Sequence, residues 1–328
     1  MCSSDLVTAL DKAPVRRVWA VTIDPVPPTA APPAFDAQVS HYWTGTDAAW
    51  RPPEPTTRHW LIIAPWELGS YPDPWNAAFR DPKFRRLVTP SEHSRQLFLL
   101  GGVLRPEQVH VVPNGVDCAT FSPEGPRFPV RAGSEGLWIA LFVGGLLWRK
   151  GVDLLYEAWD LAFRRDEPVR LILKAQGSQT FYRGQEILPP AGHPTIRLLE
   201  RHLAPAELAS LYRAAAVVVQ PSRAEGFGLP ALEAMACGRP VIVPEGTAMR
   251  EFVPRGAALV IPSTSTVPHG AACRTVDVPL LARALRWCYE HREEAAALGQ
   301  AGRQAALEFD WRLIAERYAH QLEEVCRE

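Results

Sequence analysis

The stretch from Ala216 to Gly238, AVVVQPSRAEGFGLPALEAMACG, restricts the fold more than any other part of this chain. Its β-branched start, Ala216–Val219, is short and apolar and reads as a buried strand. Its second half reads as a helix with both ends marked. Pro230 suits the first helical position, and Gly238 suits the left-handed residue just past the last turn. Between them lies the loop Glu225-Gly226-Phe227-Gly228-Leu229. Two glycines let that backbone approach a ligand closely, and the amides that open a helix are unpaired and partly positive. Glu225 falls in the loop and Glu233 in the first helical turn. A carboxylate on each side of an anion-binding loop suits a ligand with both phosphate and several hydroxyls.

The rest of the chain alternates strand and helix. Strands are expected at Trp60–Ala64, Arg86–Thr89, Val109–Val112, Leu137–Val143, Leu171–Leu173, Ile196–Leu199, Pro240–Val243 and Ala258–Ile261. Helices are expected at Pro74–Arg80, Ser94–Leu100 behind a Ser91 cap, Val152–Arg165 and Pro205–Tyr212. Three more, Pro279–His291, Glu293–Phe309 and Trp311–Glu323, close the chain. Such alternation implies parallel sheets covered on both faces. A Pro-, Gly- and charge-rich segment, Pro123–Gly136, marks a linker between two such halves. Arg17–Ile23 reads as a further strand, whereas the proline-punctuated segment from Pro25 to Pro55 reads as loops.

A second cluster follows the strand at Leu137–Val143. There the sequence is Gly144-Gly145-Leu146-Leu147-Trp148-Arg149-Lys150-Gly151, a glycine pair and two adjacent cations just before a helix. A diphosphate is a ligand that such cations can hold. Arg149 can grip it with a planar fork and Lys150 with a point charge, and donors of this kind are typically worth about 10²–10³ in rate each. The dinucleotide fingerprint G-x-G-x-x-G is missing.

These residues resemble retaining glycosyltransferases of family 4. EGFGLPALE, from Glu225 to Glu233, matches that family's E-x7-E signature; VHVVPNGVD resembles its inter-domain segment and FVGGLLWRKG its first C-terminal strand and loop. The resemblance covers about Trp60 to the end. It implies an α/β fold of the GT-B class, two Rossmann-like parallel-sheet domains facing a cleft. The first domain, residues 1–122, is expected to be incomplete, because no Gly-rich loop precedes residue 60 and the opening MCSSDL resembles a translated sequencing adaptor. Residues 123–136 are then the linker, 137–308 the donor domain and 309–328 a helix crossing back to the first domain.

The resemblance also distributes roles. Glu225 lies beside the donor sugar and orients it, and Glu233 hydrogen-bonds the nucleotide ribose. Arg149 and Lys150 hold the diphosphate, with Gly144, Gly145, Gly226, Phe227, Gly228 and Leu229 contributing backbone; a plain core ring is the other reading of Phe227. Arg201-His202-Leu203 resembles the loop whose backbone meets the nucleobase. Lys174 ends a strand on the donor side, where a paired surface lysine is the alternative. Many family members carry a histidine where this chain has Pro65-Trp66-Glu67. Trp66 and Glu67 are therefore acceptor-side candidates, with His41 a candidate for the missing histidine. The loop Phe181-Tyr182-Arg183-Gly184-Gln185 could meet an acceptor or simply pack.

The implied activity moves a sugar from a nucleotide-diphosphate sugar to a glycan or lipid-linked hydroxyl acceptor, with retention and without a cofactor. No Asp-x-Asp metal motif occurs, so no metal is expected. The alternatives are a non-catalytic nucleotide-sugar-binding module or an inactive fragment, and a pyridoxal-dependent phosphorylase ranks behind both. A net charge of −1 gives no basic footprint for nucleic acid. The six cysteines show no C-x-x-C and read as reduced thiols. No apolar run reaches the ~18 residues that a membrane helix needs. A bacterial, cytoplasmic protein of polysaccharide biosynthesis is expected, with peripheral contact at the inner membrane and oligomeric state left open.

Overall fold

The computed structural model describes residues 20–22, 37–41, 58–129, 136–175, 186–265 and 273–327. The loop 181–185 and the opening residues lie outside these, as do residues 17–19 and 23 of the first expected strand and the side chain of His41. The chain divides into two units. One comprises Met1–Gly115 with Phe309–Glu328, the other Val116–Glu308.

The first unit is built on a parallel sheet in the order β1 (Ala20–Thr22), β2 (Ala37–His41), β3 (His59–Ile63), β4 (Phe84–Thr89) and β5 (Val109–Val111). β2 lies where the prolines suggested only loops. Its five residues contain no proline, and each pairs in register with β3, from Ala37 opposite His59 to His41 opposite Ile63. Helices α1 (Trp75–Phe79) and α2 (Glu92–Leu100) belong to the same unit, and Ser91 caps α2 by accepting the Ser94 amide at 3.0 Å.

One apolar cluster of this unit is mostly aromatic: Trp60, Tyr71, Trp75, Phe79, Phe84 and Phe98 pack together. A second forms where the last helix, Trp311–Arg327, joins the sheet. Its Ile314, Tyr318, Leu322 and Val325 pack with Leu61, Ile63, Val88 and Val112, at the i, i+3/i+4 spacing of one helix face. The Tyr318 hydroxyl donates to the Val112 carbonyl at 3.3 Å, and Arg86 pairs with Glu324 at 2.6 Å.

The second unit carries a six-stranded parallel sheet. Its strands are β6 (Trp138–Val143), β7 (Val169–Ala175), β8 (Ile196–Glu200), β9 (Val217–Val219), β10 (Val241–Pro244) and β11 (Leu259–Ile261), in the spatial order β11-β10-β9-β6-β7-β8. The order runs outward in both directions from β6 and β9, so the gap between them is a topological switch point, where open α/β sheets bind ligands beyond the strands' carboxyl ends. A short antiparallel pair, β12 (Ser263–Ser265) and β13 (Arg274–Val276), follows and was not expected.

Helix α3 (Val152–Ala162) stops three residues before the expected Arg165, because Phe163 turns extended (φ −132, ψ 139) and packs its ring 4.5 Å from that of Trp159. The stretch expected to open a linker at Pro123 is held against α4 (Pro205–Ala214). Phe128 donates its amide to the Ser210 carbonyl at 2.9 Å, and Arg213 Nε donates to the Pro126 carbonyl at 2.8 Å. The five described cysteines are unbridged, and burial pushes the Cys237 and Cys288 thiols up to about 12.

Replacing Tyr318 by Ala removes a fully buried ring and its hydrogen bond, so the cost should be about 3–5 kcal/mol. Urea unfolding monitored in the first unit should show it, and an unchanged midpoint would mean that this helix does not hold the sheet.

Candidate functional site

The loops that leave β6 and β9 meet at the switch point. After β6 the backbone passes Gly144 (φ 150) and Gly145, makes a 3₁₀ turn at Trp148–Lys150 and enters α3 through Gly151 (φ 70). A β-carbon on Gly151 would fall inside contact distance of the Pro221 carbonyl oxygen, so only glycine lets the two loops approach so closely. They are then joined through the backbone: the Arg149 carbonyl accepts the amides of Arg223 at 2.7 Å and Ala224 at 3.4 Å.

Side chains complete the junction. Lys150 Nζ donates to Glu225 Oε2 at 2.6 Å. Arg149 Nη1 stands 3.8 Å from the same oxygen and donates to the Ala224 carbonyl at 3.2 Å. All three side chains are at least 85% covered. Burial pulls the Glu225 carboxyl up, but the Lys150 and Arg149 charges outweigh it and hold the group below its ordinary value. Two cations and one carboxylate leave a net positive charge. The amides of Gly145, Gly228 and Leu229 take no hydrogen bond among the described residues. Helix α5 (Leu229–Ala236) starts immediately behind the loop and adds about half an elementary charge at its positive end.

Arg223, not singled out from the sequence, fixes this geometry. It forms a two-bond fork with Asp153, at 2.7 Å to each carboxylate oxygen, and donates to the Trp148 carbonyl at 2.7 Å. Its guanidinium lies 4.4 Å over the Trp148 ring. It thereby pins the 3₁₀ turn bearing Arg149 and Lys150 to the loop bearing Glu225. Asp153 and Arg223 stand 70 residues apart in sequence. The available clue was an arginine beside one conspicuous loop and an aspartate beside the other.

The other expected residues fall around this centre to differing degrees. Helix α5 begins at Leu229, so Pro230 is its second residue and Glu233 lies in the second turn, where it accepts the Tyr212 hydroxyl at 2.7 Å. Phe227 is a buried ring 5.0 Å from that of Phe252, which favours the core reading of its side chain. Gly228 has φ 104, and a β-carbon there would meet Met249.

Lys174 sits beside Gly144, whose amide donates to the Lys174 carbonyl at 3.0 Å. It is 5% exposed, and among the described residues its ammonium donates to the Ala175 carbonyl at 2.9 Å. Burial, with Arg201 nearby, lowers its pKa. It is a buried cation and not a surface lysine. His202 is exposed and Leu203 buried, just past β8. Neither makes a hydrogen bond or ion pair to Glu225 in the structure.

The acceptor-side candidates belong to the first unit, at the carboxyl ends of its strands. His41 ends β2, and Trp66 and Glu67 follow β3. Trp66 is largely committed to structure: its indole donates to the Gly69 carbonyl at 2.9 Å, its carbonyl accepts Ser94 Oγ at 2.6 Å, and its ring is 6.1 Å from that of Trp75. Thr89 ends β4 on the same edge, fully buried, with no partner for its hydroxyl among the described residues. It adds a polar group that the sequence reading passed over as part of a strand.

A doubly wound α/β sheet with cationic, glycine-containing loops at its switch point places a candidate ligand crevice beyond the carboxyl ends of β6 and β9. Comparison with known proteins narrows this. Residues 138–290 match the family described as "Glycosyl transferases group 1". The chain is 30% identical to "D-inositol 3-phosphate glycosyltransferase" of Frankia alni, covering 89% of this chain and 75% of the relative. It is 32% identical to "MMP alpha-(1->4)-mannosyltransferase" of Mycolicibacterium hassiacum over 70% of this chain, and spans about half (51%) of that relative's length. Among solved structures, Anabaena Alr3699/HepE in complex with UDP and glucose superimposes with a TM-score of 0.63 at 18% identity, covering 88% of this chain and 79% of that one. This chain belongs to the group 1 glycosyltransferases, and its two parallel α/β units have the GT-B fold.

Replacing Arg223 by Met strands Asp153 and unpins the loops, and should cost about 3 kcal/mol. Arg223→Lys should recover only part of this, because an ammonium cannot form the fork. Equal urea midpoints for Arg223→Met and the parent would contradict the assignment. Glu225 offers a pH test. A depressed carboxylate stabilises the fold above its unfolded pKa and loses that contribution as pH falls through the folded value. As pH falls below about 4.5, the ordinary glutamate value, the parent should therefore lose stability more steeply than Glu225→Gln, and parallel profiles there would argue against the ion pair.

Proposed function

We propose that this chain transfers a sugar from a nucleoside-diphosphate sugar to a hydroxyl acceptor, with retention of configuration and without a metal. One observation carries the reading: Arg149, Lys150 and Glu225 converge on the switch point, framed by the unbonded amides of Gly145, Gly228 and Leu229. A diphosphate suits the two cations and those amides. Glu225 Oε2 takes both cations, so Oε1 is the atom to receive a donor-sugar hydroxyl. This casts Glu225 as an orienting group and not a nucleophile.

As the bond from the anomeric carbon to the diphosphate oxygen breaks, its electron pair passes to that oxygen, and Arg149, Lys150 and the helix-end amides stabilise the growing charge. The acceptor oxygen bonds the anomeric carbon and its proton passes to the leaving phosphate. Glu233 serves the ribose, the backbone at His202-Leu203 the base, and buried Lys174 adds positive potential beside Gly144. On the acceptor side the candidates are His41, Glu67 and Thr89, with Trp66 shaping the loop. Fixed cations discharge the role that a divalent ion plays elsewhere, so a chelator should leave activity intact. The acceptor class is a glycan or lipid-linked hydroxyl. No described helix is long and apolar enough to cross a membrane, and a cytoplasmic setting with peripheral membrane contact fits the proposed substrates.

Turnover on a panel of nucleoside-diphosphate sugars tests this. Arg149→Ala should lower the rate by about 10²-fold or more, and Glu225→Gln should keep the fold while losing transfer. Full activity in either variant, or complete loss on adding chelator, would contradict the corresponding role.

A further inference from the structure

The second unit has a cavity of about 850 Å³ at the opposite edge of its sheet, beside the amino ends of β6, β9 and β10. Strands of about six residues put it some 20 Å from the switch point. Five arginines line it, Arg127, Arg213, Arg239, Arg292 and Arg303, against one carboxylate, Glu124. None of the five forms an ion pair among the described residues.

The inner three are held by carbonyls. Arg213 donates to those of Pro126, Thr120 and Ser122, Arg303 to those of Phe121, Ala236 and Cys118, and Arg239 to those of Cys237 and Ala215. Nη2 of Arg213 and Nη2 of Arg239 take no partner among the described residues. Arg213 is only 5% exposed. Burial, with the charges of Arg127 and Arg213 nearby, lowers the Arg239 pKa.

The ordinary explanation is that arginines neutralise helix carboxyl ends, and α4 and α5 do end here, at Ala215 and Cys237. Two such ends amount to about one negative charge, whereas five arginines and one glutamate sum to +4. Helix ends leave most of that charge unmatched.

We propose that this cavity is a second anion site, which takes a small molecule carrying two or more phosphoryl groups. Its volume suits a ligand of nucleotide size, and guanidinium forks suit phosphate oxygens. The inference is independent of glycosyl transfer.

Titration calorimetry with inorganic tripolyphosphate tests it without any assay of activity. Among the described residues Arg127 makes no hydrogen bond, and exposed Arg292 touches only Tyr289, donating to its carbonyl at 3.3 Å and lying 5.2 Å over its ring, so Arg127→Gln/Arg292→Gln should fold normally. The parent and Arg149→Ala should both bind tripolyphosphate at this cavity, and the rim double variant should lose at least about tenfold in affinity there. The proposal is overturned if the double variant binds like the parent, if Arg149→Ala abolishes all binding, or if the parent binds no tripolyphosphate. It is equally overturned if the parent sediments with phosphatidylglycerol vesicles yet ignores the soluble probe, since the positive face would then serve a membrane.

Discussion

The site depends on the junction of two loops whose contacting residues lie 75 positions apart in sequence, and that junction is first a matter of backbone. One carbonyl, that of Arg149, accepts two amides from the β9 loop, and one glycine, Gly151, lets the strands' loops approach closely enough for this. Once the backbones are joined, the ion pair of Lys150 and Glu225 becomes nearly unavoidable. Two oppositely charged groups buried at 2.6 Å could separate only by leaving an uncompensated charge in a covered place. Arg223 and Asp153 lock the arrangement from behind. The cations are thus held in place by the chain itself, as the proposed stabilisation of a leaving diphosphate without reorganisation requires.

Much of this was legible in the sequence because the relevant signals are local. A β-branched run, a glycine-bearing loop, a proline near the helix start and a left-handed glycine at its end gave β9 and α5 to within a residue or two; Gly238 has φ 67. Arg149, Lys150 and Glu225 stood out through residue type beside such loops. What stayed hidden depends on partners distant in the chain. Strand β2 owes its state to pairing with β3 between proline-rich neighbours, and a pattern of single residues cannot show pairing. Arg223 looked like any polar loop residue until Asp153 and Trp148 were brought to it. Phe163 ended a helix early because the core offered its ring a better place than another turn did.

The two units use their sheets' carboxyl edges differently. In the second unit that edge is crowded with cations and glycines, which suits a polyanion. In the first it carries His41, Glu67 and Thr89, whose hydroxyl has no partner among the described residues, beside a tryptophan tied into the aromatic core. A carboxylate, an imidazole and a hydroxyl suit hydroxyl-bearing ligands. The division of labour proposed for donor and acceptor follows from that difference in chemistry.

The most direct measurement is a crystal structure of the chain with UDP bound. The account predicts the diphosphate at the switch point, with its oxygens within about 3 Å of Arg149, Lys150 and the amides of Gly145 or Gly228, and the loops unmoved. A diphosphate bound elsewhere, or one that displaces Glu225 from Lys150 and separates the loops, would contradict it.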